Sequence, residues 1–471
     1  MNDVDAGRRA ANRQAAIALS VVLAVVVAPI VQENTGLTAP RYAAVAALVE
    51  HQTLELDRYR DHVFIDRLEV DGHLYSDKAP GQPIASIPAY AAAKALGAES
   101  AAVVRVRGNL GLWAVTLWSA LVPAVALVLM MVRRGASLGP RAATVGAAGA
   151  AFGTLLLPYA AQLYGHVLAA ALGFGAWCWL RSRPPTARTG FLAGLLVGAA
   201  VTVEYQMAIL ALVLVMWIAR RARSMLAPFV LGGVPAVILL VGYQWALLGS
   251  PFASTYSRKP KHDGATPLIT GIPKPLQSLE ILFGSRGLIL FTPLVAVGLW
   301  GLWRLARRAG PLRDDGLVGL AVLGGFFLLQ SGWPNPWGGE VPGPRYMIPA
   351  LPFLAVGIGW AWTSRRTLVL VTGAVSVFSM TWPLVARHLV YDGGYLIESQ
   401  LSDVRVHGFM PTIFTMALGG LGWVPHVLLI ILALRLLERT LDRVDGASAA
   451  VADGGRILGI DGATPADRHD P

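Results

Sequence analysis

The chain has 471 residues, of which 55% are hydrophobic and only 14% charged, with a mean hydropathy of +0.55. Soluble domains carry about a quarter charged residues, so a soluble class is excluded and a polytopic membrane protein is expected. The net charge of +11 is no nucleic-acid signal in such a chain, because basic residues cluster at the ends of spans and fix their orientation.

In chain order, "RRAANR" precedes the apolar run "AAIALSVVLAVVVAPIV". No convincing small-residue cleavage site follows, so an uncleaved first span is expected. A membrane-crossing helix needs about 20 apolar residues. Runs near that length fall at 14–32, 110–132, 142–161, 164–180, 190–204, 205–219, 226–248, 287–303, 316–332, 346–362, 367–386 and 412–434. The expected fold is all-α, a polytopic transmembrane bundle of about twelve spans.

Between the first two spans lies a loop of residues 33–109. Its segments "APRYAAVAALVEHQTLELDRY" (39–59) and "IASIPAYAAAKALG" (84–97) have helical apolar spacing and read as amphipathic helices at the membrane surface. Arginines punctuate alternate connections, at 133–134, 181–188, 220–223, 304–313 and 365–366, all on the side of the N-terminal pair. Such loops mark the cytoplasm, so both termini are expected inside. The organisation is then a cytoplasmic segment 1–13, a membrane domain 14–435 and a disordered cytoplasmic tail 436–471. The five lysines (Lys78, Lys94, Lys259, Lys261 and Lys274) and ten acids of the first loop fall on the other face. Any chemistry is expected there.

The single cysteine, Cys178, excludes a disulfide, a redox pair and a cysteine zinc cluster. Outer carboxylates could hold a divalent cation, but no spacing singles out ligands.

Four motifs carry a resemblance: "YSDKAPG" (75–81), "LGSPF" (248–252), "GSRGLILFTP" (284–293) and "WGGEVPGPRYMIPALPF" (337–353). With the layout of the first loop, they resemble membrane glycosyltransferases of the GT-C superfamily, close to the aminoarabinose transferases of lipid A and the protein O-mannosyltransferases. The resemblance covers residues 14 to about 435. It implies an enzyme of the plasma membrane that moves a sugar, with inversion, from a polyprenyl-phosphate donor to a cell-envelope glycan, lipid or protein at the non-cytoplasmic face. In one respect the chain departs from the family. Where the family has an Asp-Glu pair before Arg-Tyr, this chain has Thr38-Ala39 ("LTAPRY"), so another carboxylate must act or activity is lost.

In such a reaction the leaving phosphate gains charge, and fixed cations lower the barrier. The resemblance gives Lys78 that role; Arg345 in "GPRY" and Arg286 in "GSRG" are further candidates, beside glycines that permit backbone approach. The bland alternative is contact with lipid headgroups. The acceptor hydroxyl needs a carboxylate base. Asp57 and Asp77 are candidates, with Asp66, Asp71 and Glu33 behind them, and Asp77 could instead orient Lys78.

Glu204 in "VTVEYQM" interrupts an apolar stretch and is expected to line a substrate cavity with Tyr205, unless it is an interfacial turn in water. His166 reads as a substrate contact or a neutral interfacial histidine. Trp337 and Glu340 could contact sugar, although an aromatic belt accounts for Trp333, Trp337, Tyr346 and Trp382 equally well. A flippase or transporter, and a non-catalytic envelope-assembly protein, remain as rivals. Convergence of Lys78, Arg345 and Asp57 or Asp77 on one lipid-accessible cavity separates transfer from transport, which needs a central polar tunnel.

Overall fold

A computed structural model describes residues 2–103, 105–253, 255, 272–390 and 393–457. Helix α1 (Asn2–Val27) leads into the first long loop, which holds α2 (Ala39–Ala46), a hairpin of β1 (Arg67–Val70) and β2 (His73–Ser76), and α3 (Gly81–Ala95). Helix α4 (Leu110–Thr116) continues through a π turn into α5 (Val122–Arg134). Next come α6 (Pro140–Phe152), α7 (Leu156–Tyr159), α8 (Gly165–Ser182), α9 (Ala187–Val203), α10 (Ala208–Arg221) and α11 (Leu226–Leu248). The second half contains α12 (Pro275–Phe283), α13 (Leu288–Phe291), α14 (Leu294–Ala306) and α15 (Arg313–Ser331). A 3-10 stretch (Arg345–Phe353) then runs into α16 (Leu354–Ser364), followed by α17 (Arg366–Val385), α18 (Leu396–His407), α19 (Ile413–Leu418) and α20 (Trp423–Ile457).

The protein is a helical membrane bundle, as expected. Among the described residues 7 helices are long and apolar enough to cross a bilayer, or 8 if the bent pair of 275–291 and 294–306 is one span. That pair turns by 90° at Thr292-Pro293, inside the run expected as one straight span at 287–303; a proline nitrogen cannot continue the helical ladder. Four other expected spans are occupied by α6, α8, α9 and α10, of 13, 18, 17 and 14 residues. At 1.5 Å per residue these reach roughly 20–27 Å. Beyond Arg443, α20 continues to Ile457 into the stretch read as tail, and residues 458–471 lie outside the described residues, as do Lys259 and Lys261.

Small residues set the tightest helix contacts, as expected where close backbone approach supplies the packing energy. A Cβ on Gly194 of α9 would sit 1.9 Å from the Phe229 carbonyl oxygen of α11, and one on Gly232 of α11 would sit 2.1 Å from that of Phe191. Gly194→Ala is therefore expected to push α9 from α11 and cost about 1–3 kcal/mol, read as a lowered thermal transition of the detergent-purified protein. An unchanged transition would show that the contact yields freely.

The arginine connections meet at one end of the bundle. Arg134 holds Asp315 through Nε at 2.6 Å and Nη2 at 2.8 Å, and the Trp177 indole donates to the same carboxylate at 2.9 Å. Arg181 and Arg221 both pair with Asp314, at 3.4 and 3.0 Å. At the opposite end the first loop packs into the bundle. Helix α2 is buried along nearly its whole length instead of lying on a surface, because its alanines are small enough to be covered on several sides. Its helical stretch ends at His51, where Gln52 adopts a left-handed conformation with φ 54°, so the helix expected over 39–59 stops short.

The hairpin was not anticipated. Val70 pairs with His73 across Asp71-Gly72, whose φ values of 52° and 85° suit the two-residue turn that Asp-Gly favours. Its Arg67–Ser76 register sets Asp66 opposite Asp77, and the Asp77 amide donates to the Asp66 carbonyl at 3.3 Å.

Candidate functional site

The hairpin base creates the first part of the site. Lys78 Nζ lies 2.9 Å from Asp66 Oδ1 and 3.1 Å from Asp77 Oδ1. Asp66 also meets Arg41 Nη1 at 3.2 Å, so one carboxylate bridges two cations. Asp66 has φ 54°, a left-handed conformation that aspartate tolerates better than most side chains. Burial alone would lower the Lys78 pKa, but Asp66 and Asp77 outweigh it and hold the ammonium above its ordinary value; Lys78 stays charged. The Tyr243 hydroxyl of α11 donates to the Ser76 and Lys78 carbonyls at 3.3 Å each and fixes the turn.

Arg345 enters from the far side of the sequence, at the start of the 3-10 stretch. The residue is only 4% exposed. Neither Nε nor Nη1 has a hydrogen-bond partner among the described residues. It packs over the rings of Tyr164 and Tyr346, at 5.7 and 5.4 Å, while Arg41 lies 4.7 Å above the same Tyr164 ring. The Tyr164 hydroxyl is in turn 3.2 Å from His388 Nε2. Gly338 and Gly339, with φ 82° and 137°, leave the room: a Cβ on Gly338 would come within 3.1 Å of Arg345 Nε.

Glu204 completes the arrangement. It ends α9 in an extended conformation, φ −143° and ψ 114°, and so separates α9 from α10. One oxygen lies 3.1 Å from His166 Nδ1, and the other accepts from Gln206 Nε2 at 3.0 Å. Its carboxylate is within the electrostatic reach of Arg41, Arg345 and Lys78. The turn at Lys78 is brought to this place by Gly81, the first residue of α3, where a Cβ would fall 2.6 Å from the Thr202 backbone. His166 stacks on Tyr164 at 6.0 Å. Tyr205 accepts from Gln244 Nε2 at 3.2 Å.

Beside Lys78 opens an apolar groove of about 360 Å³, walled by Leu48, Pro83 and Ile84 on one side and by Ile238, Leu239 and Tyr243 of α11 on the other. The outer surface of α11 is largely exposed, with Val237 at 59% and Ile238 at 66%, a face suited to hydrocarbon. The groove thus joins a lipid-facing helix to a half-buried ammonium.

The structure brings together Lys78, Asp77, Arg345, Glu204, His166 and Tyr205. It adds Arg41 and Tyr164, which the sequence reading left out, and raises Asp66 from a secondary candidate to the residue that bridges two cations. Asp57 stands apart. It accepts from the Leu74 amide at 2.8 Å and from Arg60 Nη2 at 3.2 Å, and lies 2.6 Å from His73 Nδ1, bracing the hairpin. Glu55, Asp57 and His73 present ligand atoms within 4.8 Å of one another on the exposed side of that hairpin. Asp71 is the hairpin turn, and Glu33 is buried between Arg107 and Arg387, where it ties the first loop to the segment after α17. Arg286 donates through Nη1 to the Gly339 and Val341 carbonyls at 3.3 and 3.1 Å and lies 5.7 Å from the Trp337 ring. It holds the loop that delivers Arg345, and Trp337 is buried in that loop while Glu340 is exposed.

Burial alone would raise the Asp57 pKa, yet His73, the Leu74 amide and Arg60 outweigh it and keep the carboxyl below the usual range. His73 is pushed up, first by its bond to Asp57 and then by Glu55. Asp57 therefore stabilises the hairpin above the unfolded carboxylate pKa of about 4 and loses this as pH falls through its lowered folded value. His73 contributes fully below about 6.5 and loses its part as pH rises through its raised folded value. Protection of the Leu74 amide, corrected for intrinsic exchange, is expected to be greatest between roughly pH 4 and 6.5. His73→Asn should flatten the upper limb, and a flat wild-type profile would refute the pairing.

No protein-family model matches the sequence, and no curated protein matches it. Two solved structures are similar to it. ArnT from Cupriavidus metallidurans bound to undecaprenyl phosphate has a TM-score of 0.52 and 15% identity, over 94% of this chain and 78% of that one. The apo state of the same protein has a TM-score of 0.50 and 15% identity, over 92% and 74%. At this identity the likeness carries the fold alone: the chain has a GT-C-like helical architecture.

Proposed function

We propose that the protein is a membrane glycosyltransferase that moves a sugar, with inversion, from a polyprenyl-phosphate donor to a hydroxyl of a cell-envelope glycan, lipid or protein. The observation that carries this reading is Arg345, buried and without a carboxylate ion-pair partner among the described residues, in electrostatic reach of Lys78, which itself lines an apolar groove. A buried cation lacking its anion is costly, and a phosphate on an oily tail supplies that anion from the groove side. The likeness to ArnT, solved with undecaprenyl phosphate, supports the same donor chemistry. The arginine-rich end of the bundle is then cytoplasmic by the charge rule, both termini lie inside, and transfer occurs at the outer face of the plasma membrane.

In this mechanism Arg345, Lys78 and Arg41 compensate the charge that develops on the departing phosphate. Glu204 takes the acceptor proton. Of the three carboxylates near these cations among the described residues, Asp66 and Asp77 are held in ion pairs with Lys78, and protonating either would break a pair. Glu204 faces a histidine and an amide, so it is free to accept a proton, and it substitutes for the acid absent at Thr38-Ala39. Asp77 orients Lys78, and Asp57 is left to the hairpin.

The test is purified full-length protein titrated with undecaprenyl phosphate and incubated with a panel of undecaprenyl-phosphate sugars and envelope acceptors. Saturable binding of the lipid phosphate and transfer from one donor are expected. Absence of both would overturn the proposal, and vectorial movement of the lipid without transfer would favour a flippase.

A further inference from the structure

A second groove lies at the arginine-rich end, away from the site above, and its chemistry is independent of glycosyl transfer. It has a volume of about 480 Å³ and runs between α5 and α8, from Val122 and Pro123 in the first turn of α5 to Arg133 and Arg134 in its last. Thirteen helical residues span roughly 20 Å, close to half of the ~30 Å hydrocarbon core with the interface added. Its length is therefore that of one leaflet.

The walls are apolar, including Met130, Leu168 and Leu172. Gly175 keeps the floor open, since a Cβ there would already touch Met130 Sδ at 3.4 Å. The polar end is different. Arg134 is committed to Asp315, but Arg133 and Arg183 are exposed and form no ion pair among the described residues. Arg183 lies 4.8 Å from the ring of Trp179. The Trp179 indole N–H is buried and has no hydrogen-bond partner among the described residues. Two uncommitted cations and an unused donor thus crown an apolar channel one leaflet deep.

We infer that this groove binds an anionic phospholipid of the adjoining leaflet, one acyl chain lying along α5 and α8 and the phosphate between Arg133 and Arg183. Basic pockets between membrane helices recognise anionic headgroups in this way. The leaflet-long groove fits an acyl chain, whereas a long polyprenyl chain would overrun it.

The experiment is native mass spectrometry of the delipidated full chain in detergent, titrated separately with phosphatidylglycerol, phosphatidylcholine and undecaprenyl phosphate. One phosphatidylglycerol per chain is expected to survive activation, with phosphatidylcholine retained roughly thirtyfold less, as two surface arginines would give. Arg133→Gln with Arg183→Gln should erase that preference. Gly175→Leu should reduce retention of both phospholipids, while Arg345→Gln should leave the phosphatidylglycerol preference intact. Equal retention of the two phospholipids, or a preference that survives the double substitution, would overturn the inference. So would undecaprenyl phosphate displacing phosphatidylglycerol in a manner sensitive to Arg133 and Arg183.

Discussion

Arg345→Gln is expected to weaken undecaprenyl phosphate binding by roughly 10- to 150-fold, the worth of a charge-assisted hydrogen bond of about 1.5–3 kcal/mol, while leaving the apo protein as stable or more so. The two signs come from one observation. Arg345 is buried, and its Nε and Nη1 meet no acceptor among the described residues; it packs on the Tyr164 and Tyr346 rings and feels Asp66 only through space. Removing a buried cation that has no hydrogen-bonded anion relieves the empty protein of a desolvation cost, but it withdraws the donors that a phosphate would use. Lys78→Gln should behave differently. It strips Asp66 and Asp77 of a shared partner and leaves two buried carboxylates together, a change that costs about 3–5 kcal/mol in comparable buried pairs. Thermal unfolding of both variants, beside lipid titration, separates a phosphate ligand from a structural cation. Undiminished binding in Arg345→Gln, or a large loss of apo stability, would sink the assignment.

Some of this site is legible in the chain and some is not, for reasons that lie in particular residues. Lys78 and Arg345 stand out because each is a cation beside glycine and proline at the end of an apolar run. Glu204 stands out because a carboxylate there breaks an otherwise apolar stretch of about 30 residues into two helices. Arg41 and Asp66 do not. Arg41 sits in an alanine-rich helix whose burial is decided by α3 and the hairpin, and Asp66 looks like one acid among ten.

A signal for Asp66 nevertheless existed. "LEVDGHLY" alternates apolar and polar residues around Asp-Gly, the pattern of a two-residue hairpin turn, and reading it sets Asp66 opposite Asp77 without further information. The apolar periodicity of 39–59 also misled. It reports one helical face, but it cannot show that alanines are covered on the other sides, nor that Gln52 would stop the helix. Likewise, hydropathy runs find apolar segments but do not see where Thr292-Pro293 bends one of them through a right angle.

Glu204→Gln provides the sharpest test of the chemistry. In the proposed transfer a bond forms between the acceptor oxygen and the sugar's anomeric carbon, the bond from that carbon to the phosphate oxygen breaks, and the acceptor proton passes to Glu204. The amide keeps the size of the side chain and its contact with Gln206, but it cannot take a proton. Transfer should fall about 10²–10⁴-fold, the usual range for loss of a positioned base, with lipid-phosphate binding retained. Because the wild-type rate depends on an ionised carboxylate, it should decline toward acid pH, and the residual rate of the variant should lose that limb. Glu204→Asp should recover part of the rate through the same proton-accepting group on a shorter stem. Asp57→Asn, which touches only the hairpin, should transfer at close to the wild-type rate at neutral pH. If Glu204→Gln turned over normally and Asp57→Asn or Asp77→Asn did not, the base would belong to the first loop after all. The absence of an acid at Thr38-Ala39 would then have been compensated within the same loop and not from α9.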